Sequence, residues 1–183
     1  MMFKKTLIAT ALIAFGGMAM NASAASPATG QFTVSLVVNK TCIVNTTGAS
    51  NIVLAAVNSG VAESTTGQSG TFTVNCSNKT PFFVGLAPSN ANTTGAGVMS
   101  GQTAGNTTTT IPYQLAQNAA GTTVWGNTAT SSVVGNGESG TGGGMAAGKA
   151  VSFTAYANVT GGATSTDVAP DTYLDTVTIN VNF

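Results

Sequence analysis

The feature that most restricts the fold is a strict alternation of apolar and polar side chains near each end of the chain. In residues 31–38, QFTVSLVV, four apolar side chains fall on one face of an extended strand: Phe32, Val34, Leu36 and Val38. In residues 176–183, TVTINVNF, four more share a face in the same way: Val177, Ile179, Val181 and Phe183. An apolar period of two over such a length predicts a half-buried β-strand.

The sequence of these two segments does not decide whether they pair with strands of the same chain or of another chain. Natural edge strands usually carry a charge, a proline or a bulge, because an unprotected strand edge pairs with other chains. Residues 31–38 and 176–183 contain no charged side chain. Either both are ordinary strands of one closed sandwich, or their edges are left open because another chain completes them by strand addition. The alternation alone is compatible with both arrangements.

Short apolar or alternating stretches recur along the whole chain. The predicted strands are residues 31–38, 42–44, 52–57, 70–76, 82–86, 111–115, 124–126, 151–159 and 172–183. Loops rich in Gly, Ser, Thr and Asn separate them, the longest at 89–110 and 129–144. No segment keeps a helical period between two caps. The sequence therefore predicts an all-β fold, an antiparallel β-sandwich.

Charged side chains are scarce, and this excludes several classes of function. The chain has five lysines, five acidic residues, no arginine and no histidine, so 5% of its residues are charged, against roughly 25% in an ordinary domain. Nucleic-acid binding needs many basic side chains against the phosphates, and most catalysis and metal binding need histidine or carboxylates. We therefore expect no nucleic-acid partner, no enzymatic activity, no metal and no cofactor. The apolar fraction of 43% argues against a disordered chain.

The first 24 residues have the pattern of a secretory signal peptide. Two lysines precede an apolar stretch at residues 7–15, and a small-residue cleavage site ends at Ala24. We expect the mature protein to begin at residue 25 and to be exported. Residues 25–183 are enough chain for one domain, and no internal repeat or change in composition divides them.

Export determines the interpretation of the two cysteines. The chain has no histidine that could complete a zinc site or a catalytic pair. In an oxidising compartment, Cys42 and Cys76 are therefore expected to form a structural disulfide. Such a bridge would join an early strand to a second one.

Several segments, taken in their order along the chain, resemble one protein family. They are TCIV from residue 41, GTFTVNC from 70, PFFVGL from 81, IPYQL from 111, VWGN from 124, VSFTAYANV from 151 and APDTYLDTVTINVNF up to 183. Together with the two cysteines, they are similar to the spore coat U family. That family includes the pilin subunits of archaic, Csu-type chaperone–usher pili of Gram-negative bacteria. The resemblance covers essentially all of residues 25–183.

The resemblance implies an incomplete immunoglobulin-like sandwich at residues 39–183 that lacks its last strand. A periplasmic chaperone would lend a strand to the open groove, and an outer-membrane usher would replace it with the N-terminal segment of the next subunit. Residues 25–38 would be that segment, with four donor side chains: Phe32, Val34, Leu36 and Val38. The last strand would line the acceptor groove with Val177, Ile179, Val181 and Phe183, and its terminal carboxylate could anchor the chaperone. Such head-to-tail contacts produce an open fibre.

The function expected from the resemblance is that of a structural pilus subunit at the cell surface, supporting adhesion and biofilm formation. The alternative is a binding protein, either the tip adhesin of such a pilus or a secreted carbohydrate-binding sandwich. An exposed Trp125 could stack on a sugar, but we expect a core tryptophan. Asp171 and Asp175 are expected at turn and strand-entry positions, because ~13 Å separates residues four apart in a strand, too far for a glycosidase pair.

Overall fold

The structure is a computed structural model that describes residues 27–46, 50–63 and 67–183. The predicted signal peptide, residues 1–24, lies outside these ranges. By its internal contacts the chain divides into two units, Met1–Val37 and Val38–Phe183. In the described ranges no helix has the length and apolar character needed to cross a membrane.

The regular secondary structure described in the second unit is almost entirely β-strand. The described part of the chain contains, in order, β1 (Cys42–Asn45), β2 (Gln68–Cys76), β3 (Pro81–Ala87), β4 (Ala96–Gly101), β5 (Thr110–Ala116), β6 (Glu138–Thr141), β7 (Val151–Val159), α1 (Ala163–Thr166), β8 (Tyr173–Leu174) and β9 (Thr178–Asn182). One sheet has six strands in the order β1-β2-β7-β5-β4-β8, and the other has three in the order β6-β3-β9. Every pairing among these strands is antiparallel.

Aromatic side chains from the two sheets meet in the core. Phe72 of β2 and Phe153 of β7 are cross-strand partners whose rings stack with centroids 5.5 Å apart. Phe82 of β3, in the other sheet, packs edge-on against Phe153 at 5.9 Å. Because the two sheets pack face to face through such contacts, the predicted antiparallel, immunoglobulin-like β-sandwich is confirmed.

Trp125 belongs to this core, as predicted. It is fully buried and packs against Phe72 and Phe153. Its indole Nε1–H donates a hydrogen bond of 2.9 Å to the carbonyl oxygen of Val84. The polar atom of the indole is therefore satisfied inside the protein, and the ring is not available to stack on a sugar.

The predicted disulfide is confirmed. Cys42 and Cys76 are directly opposite one another in β1 and β2, with Cα atoms 4.1 Å apart and their sulfurs bonded. The bridge closes a loop with a sequence separation of 34. In the chain-entropy account, closing a loop of this length destabilises the unfolded state by ~4 kcal/mol. The bridge thereby fixes the edge strand β1 to the sheet.

Several predicted strand boundaries are wrong. Residues 31–38 and 52–57 form no strand, and near 124–126 the structure has only the isolated bridge between Ala116 and Val124. Strands β4 and β6 lie inside the stretches predicted as long loops. The predicted strand 172–183 is divided, because β8 joins the six-stranded sheet and β9 joins the three-stranded one. The chain thus crosses from one sheet to the other between these two strands.

Candidate functional site

The strand β9 lies at the edge of its sheet. It pairs with β3, and Ile179 and Val181 lie opposite Leu86 and Val84. Within the described residues, no strand pairs with the other edge of β9. Backbone N–H and C=O groups along such an edge are free to bind a further strand. This edge is the first component of the candidate site.

An apolar groove lies beside this edge. Its volume is about 1060 Å³, and its walls include residues 50–59 and residues 168–177 together with Ile179. Large apolar side chains from both sheets line it: Phe72, Leu86, Met99, Ile111, Tyr113 and Leu115. An apolar concavity with a few polar groups is the usual form of a binding site in proteins.

Residues 50–59 form a wall of the groove without being a strand. The backbone N–H of Ser50 donates to the carbonyl oxygen of Thr71 at 3.0 Å, after which the segment leaves β2. Ile52 and Leu54 pack against the core, while the side chain between them, Val53, is 75% exposed. A side chain at Gly70 would overlap this segment, so glycine permits the close approach.

The predicted acceptor residues are only partly gathered at the groove. Val177 and Ile179 line it, whereas Val181 packs against the core outside the lining. Phe183 is 40% exposed and does not belong to the lining. The assignment of these four residues to an acceptor site therefore stays a prediction. Two of the four line the groove.

The predicted donor side chains point into solvent. Residues 28–41 form no strand or helix. Phe32, Val34, Leu36 and Val38 are each between 81% and 89% exposed. Exposed apolar side chains in a row are unfavourable in water, and large apolar patches commonly mark interaction sites. The donor role of these residues also stays a prediction.

Polar side chains line part of the groove. The Tyr113 hydroxyl donates a hydrogen bond of 2.5 Å to the Asp175 carboxylate. Burial, and secondarily the bond to Asp175 and its charge, raise the pKa of Tyr113 far above its ordinary value, so this phenol stays protonated. Glu63 also lines the groove and is only 8% exposed. Sequence reasoning missed Glu63 because it lies in a loop, where a lone acidic residue is usually solvated.

Asp171 holds a corner of the fold beside the groove. Its carboxylate accepts hydrogen bonds from the backbone N–H and the hydroxyl of Thr103, from the amide of Asn106 and from the backbone N–H of Thr172. The bond from the Thr103 backbone, followed by that from Asn106, holds the pKa of Asp171 well below its ordinary value. Asp175 similarly accepts from the backbone N–H of Thr176. Both aspartates thus have the turn and strand-entry roles that were predicted.

We expect Asp171→Asn to reduce the stability of the protein at neutral pH and to make its free energy of unfolding depend less on pH in acid. Because the folded-state pKa is depressed, the carboxylate stabilises the fold above the unfolded-state pKa of about 4. This contribution is lost as the pH falls below that value. Urea unfolding of wild type and variant between pH 7 and pH 2 should give a difference that shrinks at low pH. Asp167→Asn is the matched control, and equal pH profiles for Asp171→Asn and wild type would contradict the assignment.

The polar groups of the described residues do not form a metal site. In ranges 27–46, 50–63 and 67–183, no group of three or more His, Cys, Asp or Glu side chains could hold an ion. The carboxylates of Asp171 and Asp175 are engaged in hydrogen bonds that fix the backbone. What the site offers is an apolar groove beside an unpaired strand edge, which suits an extended peptide.

Comparison with known proteins gives a family match and a similar solved structure. The family model of the spore coat protein U domain matches residues 28–180. No curated protein sequence matches at a significant level. Among solved structures, one similar chain belongs to the CsuC–CsuE chaperone–tip adhesion subunit pre-assembly complex from archaic chaperone–usher Csu pili of Acinetobacter baumannii. The two chains are 20% identical with a TM-score of 0.45, and the match covers 80% of this chain and 40% of the other.

Proposed function

Because the chain belongs to the spore coat protein U domain family, we propose that it is a structural pilus subunit that polymerises by donor-strand exchange. In this proposal the groove beside β9 accepts the segment 25–38 of a neighbouring subunit. The contact joins two different surfaces, so each added subunit presents a new groove or a new donor, and the assembly grows as an open fibre.

One observation carries the proposal. The chain combines an unpaired strand edge beside an apolar groove of about 1060 Å³ with a separate, uncharged segment whose apolar side chains are exposed. Each feature is unfavourable alone, and each is the complement of the other. Strand addition would pair the backbone groups along β9 and would place alternate side chains in the groove.

The apolar side chains of the donor segment give the gross gain of strand insertion. Burying four apolar side chains at about 1.5–3 kcal/mol each gives on the order of 6–12 kcal/mol before the segment's ordering is subtracted. The buried contacts are apolar and main-chain in character, because the donor segment has no charge between Gln31 and Val38. Such contacts depend little on ionic strength.

The proposal includes the partners and the location expected for this mode of assembly. A periplasmic chaperone would hold the groove before polymerisation, and an outer-membrane usher would catalyse the exchange. The finished fibre would lie outside the cell, where it would support adhesion and biofilm formation. The signal-peptide pattern of residues 1–24 and the disulfide between Cys42 and Cys76 support this route.

Purified protein should form ladders of multimers that resist detergent at room temperature and dissociate on boiling. The reason is kinetic, because an inserted strand leaves only when its backbone pairs and its side-chain contacts break together. Gel electrophoresis of unboiled and boiled samples measures this directly. A protein that stays monomeric at all concentrations, with no chaperone bound, would contradict the proposal and favour a secreted binding module.

A further inference from the structure

Two residues beyond the donor segment 25–38, the chain has a lysine, Lys40. Side chains two apart in an extended strand point the same way, so in the inserted segment Lys40 would follow Phe32, Val34, Leu36 and Val38 in the row that faces the next subunit's groove. Lys40 is exposed in the single chain. A charge at the end of an inward-facing row needs a partner when the row is buried.

The acceptor strand has a matching pattern in the opposite direction. Its apolar positions are two apart from Phe183 back to Val177. Two residues earlier is Asp175, which precedes β9 at the point where the chain crosses between the sheets. An antiparallel alignment that pairs the four apolar positions of each strand therefore places Lys40 opposite Asp175. Every strand pairing in the described part of the chain is antiparallel, which favours this direction.

The same groove contains a carboxylate with no hydrogen-bond partner among the described residues. Glu63 is 8% exposed, and neither of its carboxylate oxygens has a hydrogen-bond partner within the described ranges. Glu63 lines the same groove as Asp175 and Val177. The groove lining does not include Val181 or Phe183. The Asp175 carboxylate is already engaged by Tyr113 and Thr176. Glu63 is thus the available acceptor for an incoming cation.

The distribution of charged side chains also favours a cation that comes from another subunit. Three carboxylates line the groove: Glu63, Asp171 and Asp175. No lysine lines it, although the described residues include Lys40, Lys79 and Lys149. A buried carboxylate without a partner is unfavourable, and the chain that contains the groove places no cation there.

We infer that Lys40 of one subunit forms an ion pair with Glu63 of the next, and that this pair fixes the register of the inserted strand. The inference rests on the proposed donor-strand exchange and adds to it a polar end to an otherwise apolar contact. A shift of two residues would keep the apolar face inward but would leave Glu63 without its partner and bury an unpaired lysine. The pair thus discriminates between registers that the apolar side chains alone distinguish weakly.

A double-mutant cycle with peptides tests this pair. Fluorescent peptides of residues 27–41, wild type or Lys40→Gln, are mixed in excess with the full chain during refolding, and the dissociation rate of each complex is measured. The acceptors are wild type, Glu63→Gln, and the control Glu138→Gln, whose carboxylate lies outside the groove. Each single change at the pair should speed dissociation about tenfold or more. The two changes together should speed it little more than either change alone.

A charge exchange gives the decisive comparison. Glu63→Lys should release the wild-type peptide rapidly and should regain slow release with a Lys40→Glu peptide. If the Lys40→Gln peptide leaves wild type as slowly as the unaltered peptide does, the ion pair is overturned while donor-strand exchange stands. If Lys40→Gln in the peptide speeds dissociation but Glu63→Gln in the acceptor does not, Lys40 has another partner and the proposed register is overturned. If the wild-type peptide does not bind wild-type chain at all, the proposed function itself fails.

Discussion

A chain without residues 25–38 should fold and bind its chaperone but should not extend a fibre, so detergent-resistant multimers should be absent. The sheets, the disulfide and the aromatic core all lie within Val38–Phe183, so the deletion removes none of them. What is lost is the burial of four apolar side chains, on the order of 6–12 kcal/mol before ordering costs. Gel electrophoresis of unboiled samples and pull-down with the chaperone measure the two outcomes.

Single substitutions make the same prediction sharper. Leu36→Asp places a charge on the inward face of the donor strand, and we expect multimers to decrease at least a hundredfold. Ser35→Asp is the matched control, because it adds the same charge to the outward face of the same strand. If the deleted chain polymerises, or if the two aspartates act alike, the donor assignment is wrong.

The alternation of side chains predicted the C-terminal strand, whereas the N-terminal segment 31–38, with the same alternation, forms no strand within the single chain. The apolar period at residues 176–183 correctly placed Val177, Ile179 and Val181 toward the core. It could not show that the chain crosses between sheets just before them, at residues 175–177. A period of two reports which face is buried, but it does not report which sheet a strand joins.

Two strands were missed because they are rich in glycine. In β4, Gly97 lies opposite Tyr113, and in β6, Gly140 lies opposite Phe82. In both places a side chain on the glycine would overlap the aromatic ring. The ring from the partner strand thus supplies the packing that the glycine lacks, and glycine lowers strand propensity only when no such partner exists. A single sequence does not reveal which ring will lie over which glycine.

The candidate site was predicted in part. The alternation shows one apolar face in residues 31–38 and one in residues 176–183. Their donor and acceptor roles come from the family resemblance and stay predictions. Residues 50–59, predicted as a strand at 52–57, instead form a groove wall. Its position depends on the hydrogen bonds between Ser50 and Thr71 and on the glycine at position 70. Glu63 could not be predicted, because its burial results from tertiary packing of a loop rather than from any local pattern.

Ile179→Asp should abolish the acceptor function while leaving the donor function intact. Ile179 lines the groove on the edge strand β9, so an aspartate there would meet the apolar side chains of an inserted strand. Burying an unpaired charge in this position should weaken insertion by about 3 kcal/mol or more, which is over a hundredfold in occupancy. Thr178→Asp is the matched control, because that neighbouring side chain is exposed.

Mixing two defective subunits separates the donor from the acceptor. The Ile179→Asp chain keeps its donor segment, and a chain without residues 25–38 keeps its groove. Neither should polymerise alone, but together they should form a dimer and nothing longer, since the dimer has neither a free donor nor a usable groove. Native mass spectrometry distinguishes the dimer from longer species. Fibres from Ile179→Asp alone, or a mixture that stays monomeric, would show that β9 is not the strand that receives the donor.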